Sequence, residues 1–386
     1  MLKKEDYMRR ALELAKQGEG YTSPNPMVGC VVVKDGRIIS EGWHERYGEY
    51  HAERNALLRC KEDPTGADLY VTLEPCCHYG KTPPCTEIII EKKIGRVFVG
   101  SMDSNPLVAG KGVQILRDAG IEVETGILAD ECRRLNEVFY HYMETGMPFC
   151  VMKYAMTLDG KIACVTGDSK WVTGEKAREH VHLLRKRYKG ILVGIGTVLA
   201  DDPMLNCRFP CAVRDEHANA VRERRQLDNG VDPIRIVCDS SLRIPEEAQL
   251  VRTAKDIPTI VACCSSRTDS DAARQKIQVL EAAGVKVLVQ DNTDRVNLKD
   301  LMKTLAEEKI DSVLIEGGAG IHASALEAGI VNKVYAYIAG KLVGGKEAPT
   351  PVGGTGIQKM ADAVKLIGME TERFGEDICI SGYVES

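Results

Sequence analysis

Leu73-Glu74-Pro75-Cys76-Cys77-His78-Tyr79-Gly80-Lys81-Thr82-Pro83-Pro84-Cys85 places three cysteines, a histidine and three prolines between two regular elements. The run Asp68–Leu73 before it is apolar and β-branched enough to predict a strand. The run Thr86–Lys92 after it has helical spacing. Upstream, His51-Ala52-Glu53 stands at the start of a helix expected over Ala52–Cys60. The strand, the polar loop and the two helices together set the layer arrangement of the first half.

His51, Cys76 and Cys85 supply one imidazole and two thiolates, a donor set that suits zinc. Three protein ligands leave the fourth position of a tetrahedral ion open, which marks a catalytic site rather than a structural one. Glu53 lies two residues from His51, placed to carry a proton between an attacking water and a leaving amine. Cys76 follows a proline that could open a helical turn, whose amides would favour a thiolate. Zinc-dependent nucleobase deaminases pair His-x-Glu with Pro-Cys-x-x-Cys; here the cysteines are spaced Cys76-x8-Cys85, a longer loop. Cys77 or His78 could instead close the site as a fourth ligand, and the cysteines could be redox-active or simply buried.

Outward from this loop, strands and helices alternate. Residues 5–17 read as an amphipathic helix, and Val28–Val33 with Arg37–Ser40 as a hairpin around Lys34-Asp35-Gly36. After the loop come a strand Val97–Gly100, a helix Val113–Ala119, a strand Ile121–Thr125 and a charged helical stretch Ala129–Glu144. Gly146-Met147-Pro148 interrupts the pattern, so the boundary is placed there, giving domains 1–146 and 147–386. The second half restarts with strand Phe149–Tyr154, helix Glu175–Tyr188 and strand Ile191–Ile195. Four more strands follow: Ile234–Cys238, Thr259–Cys263, Val285–Val289 and Ser312–Ile315. Helices Asp271–Ala283, Leu298–Glu308 and Ile321–Ala328 are interleaved with the later ones, and strands Lys333–Ile338 and Ile378–Tyr383 close the chain. The expected class is α/β. Phe209–Asp232, rich in Arg, Asp and Glu, reads as a polar surface insertion.

Composition narrows the function. The chain has 386 residues and a formal net charge of −5, of which −4 falls in residues 1–146. Neither half carries the basic excess that drives nucleic-acid binding. No run approaches the roughly 18 apolar residues of a membrane helix, and Met1–Arg10 is charged, so no membrane partner and no signal peptide is expected. Most of the 14 cysteines sit singly in apolar runs, as in a reduced cytoplasmic protein.

In the second half, Glu316-Gly317-Gly318-Ala319-Gly320 follows an apolar strand and opens a helix, an arrangement that offers amides to a phosphate. Gly318-x-Gly320-x-x-Ala323 fits the loose dinucleotide fingerprint, although too little chain follows for a complete Rossmann unit. On the helix Glu175–Tyr188, Ala177, Val181, Leu184 and Tyr188 form the apolar stripe, and Arg178, His182 and Arg185 a neighbouring cationic one.

The ordered motifs resemble the bifunctional deaminase/reductase family of riboflavin biosynthesis. The resemblance rests on His51-Ala52-Glu53, the 73–85 loop, Asn25-Pro26-Met27-Val28-Gly29 and Asn105-Pro106-Leu107-Val108-Ala109-Gly110-Lys111-Gly112. In the second half it rests on Lys153-Tyr154-Ala155-Met156-Thr157-Leu158-Asp159-Gly160-Lys161, Gly194-Ile195-Gly196-Thr197-Val198-Leu199-Ala200-Asp201-Asp202-Pro203 and Glu316-Gly317-Gly318. It implies a cytidine-deaminase-like three-layer domain followed by a dihydrofolate-reductase-like domain. It implies hydrolytic removal of the 2-amino group of 2,5-diamino-6-(5-phosphoribosylamino)pyrimidin-4-one, then reduction of the ribosyl group to ribityl with NADPH, in a homo-oligomer.

By that resemblance His51, Cys76 and Cys85 hold zinc and Glu53 shuttles the proton. Lys81, a flexible point charge, suits the substrate phosphate, with Asn25 and His44 as further substrate contacts. Ser169, Arg185, Leu205, Arg208 and Glu316 would touch the reductase substrate. Ala155, Trp171, Thr197, Asp201, Ser240 and the turn Gly318, Ala319, Gly320, Ile321, His322, Ala323 and Ser324 would touch NADPH, although Trp171 could equally be a packing residue. Lys153, Asp201 and Glu316 are the polar groups that could manage the proton of hydride transfer. Two other classes remain open: a nucleoside or tRNA deaminase with an unrelated C-terminal domain, and a structural zinc-binding module.

Overall fold

A computed structural model describes residues 2–208, 232–291 and 293–385, so most of the 209–232 insertion lies outside the described residues. The chain divides into two compact units, Met1–Met147 and Pro148–Ser386.

In the first unit, α1 (Lys4–Lys16) precedes a hairpin of β1 (Gly29–Lys34) and β2 (Arg37–Trp43). Then follow α2 (Ala52–Arg59), β3 (Asp68–Leu73), α3 (Cys85–Glu91), β4 (Arg96–Ser101), α4 (Lys111–Asp118) and β5 (Glu122–Thr125). The sheet order is β2-β1-β3-β4-β5; β1 is antiparallel to both neighbours, and β3, β4 and β5 run parallel. Alternation along β1 decides the layers. Val31 and Val33 pack with Met8, Ala11 and Leu12 of α1 on one face. Cys30 and Val32 pack with Ala52, Ala56 and Leu57 of α2 on the other. Two glycines permit the close contact: a Cβ on Gly29 would lie 1.9 Å from the Ala11 carbonyl oxygen, and one on Gly42 would lie 2.4 Å from the Ala56 nitrogen.

The single helical stretch expected over 129–144 is two helices, α5 (Ala129–Leu135) and α6 (Glu137–Thr145). The break falls at Asn136, whose side-chain oxygen accepts from Met27 N–H and whose amide donates to the Met27 carbonyl. A local periodicity does not register that distant partner.

The second unit holds a nine-stranded sheet in the order β10-β9-β8-β7-β11-β6-β12-β14-β13. Its strands are β6 (Phe149–Thr157), β7 (Gly190–Gly194), β8 (Ile234–Cys238), β9 (Thr259–Cys264), β10 (Val285–Gln290), β11 (Ser312–Ile315), β12 (Val331–Ala339), β13 (Leu366–Phe374) and β14 (Asp377–Val384). Neighbours from β10 through to β12 are parallel, and β14 and β13 add an antiparallel edge. α7 (Glu175–Arg187) follows the pattern expected from the sequence, burying Ala177, Val181 and Leu184. Several elements were not expected, including the short helices Gln249–Arg252 and Ser265–Thr268. α8 (Ile195–Asp201) starts directly at the end of β7, and β13 forms a mostly exposed edge without an apolar alternation to announce it.

Candidate active sites

In the first unit the loop between β3 and α3 meets the N-terminus of α2. His51 caps α2, Glu53 lies in its first turn, and Cys85 is the first residue of α3. Pro75 opens no helix: residues 74–84 are irregular, so the expected helical turn after Cys76 is absent. The amide near Cys76 comes instead from α3, with Cys85 N–H donating to Cys76 Sγ at 3.4 Å.

His51 Nδ1 lies 3.3 Å from Cys76 Sγ and 3.6 Å from Cys85 Sγ. With metal–sulfur and metal–nitrogen bonds near 2.3 and 2.0 Å, the edge of a zinc tetrahedron is about 3.6 Å. The three donors therefore fit zinc as they stand. Contact with the Cys85 thiol, reinforced by His51, brings Cys76 down to about 4, against the desolvation that opposes it. No fourth histidine, cysteine or carboxylate joins this group among the described residues. Cys77 Sγ turns away toward the Leu107 carbonyl oxygen at 3.7 Å.

A cavity of about 270 Å³ opens over these donors, lined by Asn25, His44, Glu53 and Lys81 among others. Glu53 is 3% exposed; burial, with the Cys76 thiolate adding to it, pushes its carboxyl up to about 7. Such a group takes up and gives back a proton near neutrality. His44 is likewise buried and its pKa falls to about 4, so its ring is neutral. Its Nδ1–H donates to the Tyr50 carbonyl at 3.1 Å, leaving Nε2 to accept from Asn25 Nδ2 at 3.3 Å. The Asn25 amide is thereby oriented with its oxygen free to accept. Lys81 Nζ sits 4.0 Å from the centre of the Tyr47 ring, an exposed cation at the rim.

The sequence assigns no role to Tyr47, Asp103 and Asn105, which also line the cavity, and His78, a candidate fourth metal ligand by sequence, lines it without joining the donor group. His78 Nδ1 is buried without a hydrogen-bond partner. Asn105 lay within a quoted motif, but no local pattern marks Asp103.

In the second unit a cavity of about 750 Å³ opens at the carboxyl ends of the parallel strands, where ligands bind in open α/β sheets. It gathers Lys153, Ala155, Ser169, Trp171, Thr197, Asp201, Ser240 and Glu316. The turn contributes Gly318, Ala319, Gly320, Ile321, His322 and Ser324. Gly318 caps the helix Ala319–Glu327, and a Cβ on Gly317 would lie 3.0 Å from the Gly194 nitrogen. The absence of a side chain at Gly317 lets the chain pass against the end of β7, and the N-terminus of the helix at Gly318–Gly320 lines the cavity, a cradle that fits a dinucleotide phosphate.

Other expected contacts fall elsewhere. Ala323, Arg185, Leu205 and Arg208 do not line this cavity. The His322 ring lies within bonding distance of the Pro351 and Ile315 carbonyls, so its backbone rather than its ring is available there. Arg208 is exposed, its N–H donating to His182 Nδ1 at 3.2 Å. Trp171 is not a core residue: it is 63% exposed, with the Arg178 guanidinium 4.6 Å over its ring. Arg178 is a cavity residue the sequence reading had only on a helix stripe.

Comparison with known proteins accounts for both units. Residues 1–101 match the family described as cytidine and deoxycytidylate deaminase zinc-binding region, and residues 148–380 match the RibD C-terminal domain. The chain is 54% identical to the riboflavin biosynthesis protein RibD of Actinobacillus pleuropneumoniae, across 99% of this chain and 95% of the relative. It is 39% identical to that of Escherichia coli K12, across 97% and 98%. Among solved structures, Acinetobacter baumannii RibD (form 1) superposes with a TM-score of 0.84 at 37% identity, covering 99% of both chains. The Thermotoga maritima diaminohydroxyphosphoribosylaminopyrimidine deaminase/5-amino-6-(5-phosphoribosylamino)uracil reductase superposes at 0.81 with 36% identity, covering 99% and 98%.

Proposed function

The chain belongs to the family of bifunctional riboflavin-biosynthesis deaminase/reductases, and from that premise we propose the substrates and the residues that act on them. It is an enzyme with a zinc-binding deaminase domain and a nicotinamide-dependent reductase domain. The first domain, residues 1–146, removes the 2-amino group of 2,5-diamino-6-(5-phosphoribosylamino)pyrimidin-4-one. The second, residues 147–386, reduces the ribosyl group of the product to ribityl, with NADPH as donor.

The observation that carries this reading is the His51, Cys76 and Cys85 triangle beside buried Glu53 at the floor of a cavity. His51 Nδ1 and the two thiolates hold zinc, which when bound supplies a Lewis acid that makes water nucleophilic near neutral pH. Glu53 accepts a proton at its carboxylate and returns it to the departing amine. Asn25, oriented by neutral His44, accepts from the pyrimidine, and Lys81 meets the phosphate.

In the reductase domain the Gly318–Ser324 turn holds the cofactor phosphates by its amides, with Ala155, Trp171, Thr197, Asp201 and Ser240 along the same cavity. Glu316, with Ser169, faces the phosphoribosyl substrate in that cavity, and Arg185 acts behind them by holding the Glu316 carboxylate. Lys153 lies 3.6 Å from Glu316 and presents an ammonium to the cavity that suits proton management at the ribosyl group; Asp201 is the other acid there. The thirteen described cysteines are free, which suits a reducing, cytoplasmic setting. No helix among the described residues is long and apolar enough to cross a membrane. The exposed edge strand β13 carries Ile367 and Met369 at the surface, which suits a homo-oligomer.

Ammonia release from the diaminopyrimidine by zinc-loaded protein, then oxidation of NADPH at 340 nm, tests the two steps in order. A protein that releases no ammonia, or that turns over NADH with the same kcat/KM as NADPH, would contradict the corresponding half.

A further inference from the structure

Glu74 belongs to none of the roles above, yet its carboxylate is 3% exposed and fully engaged with backbone amides. It stands two residues before Cys76. Oε2 accepts from Asp103 N–H at 3.3 Å and from Gly110 N–H at 2.9 Å. Oε1 accepts from Val113 N–H at 3.1 Å. One oxygen therefore closes both ends of the loop 103–110, and the other caps the first turn of α4.

The loop so closed is a wall of the deaminase cavity: Asp103, Asn105 and Val108 all line it. Within the loop, Asp103 Oδ1 accepts from Asn105 N–H at 2.7 Å and Asn105 Oδ1 from Leu107 N–H at 3.0 Å. These bonds shape the loop from within; from outside it, Cys77 Sγ meets the Leu107 carbonyl at 3.7 Å and Lys111 Nζ donates to the Pro106 carbonyl at 2.9 Å. The docking surface is built for close approach, since a Cβ on Gly112 would lie 2.1 Å from the Pro75 carbonyl oxygen. A carboxylate at a helix N-terminus also gains from the helix dipole, and charge-assisted bonds from amides are stronger than neutral ones.

We propose that Glu74 is a positioning residue of the deaminase, clasping the 103–110 loop so that Asp103 and Asn105 stand at a fixed distance from the metal-ligand segment 75–76. Substrate affinity then depends on Glu74 although it contacts no substrate. The proposal rests on the deaminase reading above, and the two fail differently: that reading fails if the wild-type protein releases no ammonia.

Glu74→Gln is nearly isosteric but turns an NH2 group toward at least one of the three N–H donors. Full-length, zinc-loaded Glu74→Gln should keep its metal stoichiometry and its reductase rate on the deaminated substrate. Its KM for the diaminopyrimidine should rise about tenfold, with kcat changed less than about threefold. Hydrogen exchange should accelerate by about tenfold or more at Asp103, Gly110 and Val113 and not in β1 or β3. Unchanged KM, or unchanged exchange at those amides, overturns the proposal, as does a fall in kcat alone.

If Glu74→Gln loses zinc or unfolds, Val113→Pro decides. It removes the Val113 N–H that bonds Oε1 from the first turn of α4 and leaves Glu74 in place. A raised KM with zinc retained supports the clasp, and an unchanged KM overturns it.

Discussion

Arg185 and Glu316, 131 residues apart, meet as a parallel pair: Nε donates to Oε1 at 2.7 Å and Nη2 to Oε2 at 2.9 Å. Their side chains are only 13% and 7% exposed. Lys153 adds a second cation 3.6 Å from the same carboxylate, so the group keeps one surplus positive charge for an anionic ligand. Removing Arg185 leaves Glu316 with Lys153 as its remaining cation among the described residues, a loss at the low end of the range of about 3–5 kcal/mol that a broken buried pair costs. Arg185→Met should destabilise the reductase unit by that order in denaturant unfolding and abolish NADPH oxidation while ammonia release persists. A loss under about 1 kcal/mol would show the pair to be dispensable for folding.

The same pair sets a pH dependence. Burial alone would raise Glu316, but the charges of Arg185 and then Lys153 outweigh it and hold the carboxyl at about 2, below its ordinary 4.5. A depressed carboxylate contributes stability that is present above the unfolded value and lost as pH falls through the folded one. The reductase unit should therefore weaken between about pH 4.5 and pH 2, and Glu316→Gln should show a shallower slope there. Denaturant midpoints at several pH values for both proteins check this; parallel slopes would contradict it.

Glu53 is argued to move a proton without holding the metal. Glu53→Gln should bind zinc at the wild-type ratio yet lose about 10²–10⁴ in the rate of ammonia release. Reduction of the already deaminated substrate should continue at the normal rate. Zinc loss in this variant would instead make Glu53 a structural part of the metal site.

Adjacent cysteines should behave oppositely. Cys76 Sγ faces His51 Nδ1, whereas Cys77 Sγ faces the Leu107 carbonyl. Cys76→Ala should lose zinc, measured as metal per chain after dialysis, together with ammonia release. Cys77→Ser should keep the metal. Zinc loss from Cys77→Ser alone would reverse the ligand assignment.

Chelation of the wild-type protein should separate the two activities. Dialysis against a strong chelator should stop ammonia release and leave NADPH oxidation with deaminated substrate intact, with ammonia release restored by added zinc. Loss of both activities would place a metal requirement in the reductase unit as well.

By itself the sequence determined the layer class and the strands and helices with clear periodicity, and it marked His51, Cys76 and Cys85, with Glu53, as the candidate metal site. Those signals are local: alternation at period two or 3.6, and soft ligands held within a short loop and at a helix start. Tertiary structure decided what no local pattern encodes. It chose Nδ1 of His51 and turned Cys77 away. It broke the 129–144 helix at Asn136 by a bond to Met27, and added an edge strand whose solvated face has no apolar period. It also brought Arg185 to Glu316 and put Glu74 under a loop 29 to 36 residues downstream. A buried polar side chain must find a partner because leaving it unpaired is costly. Which partner it finds depends on chain closure, and single polar residues do not state that in the sequence.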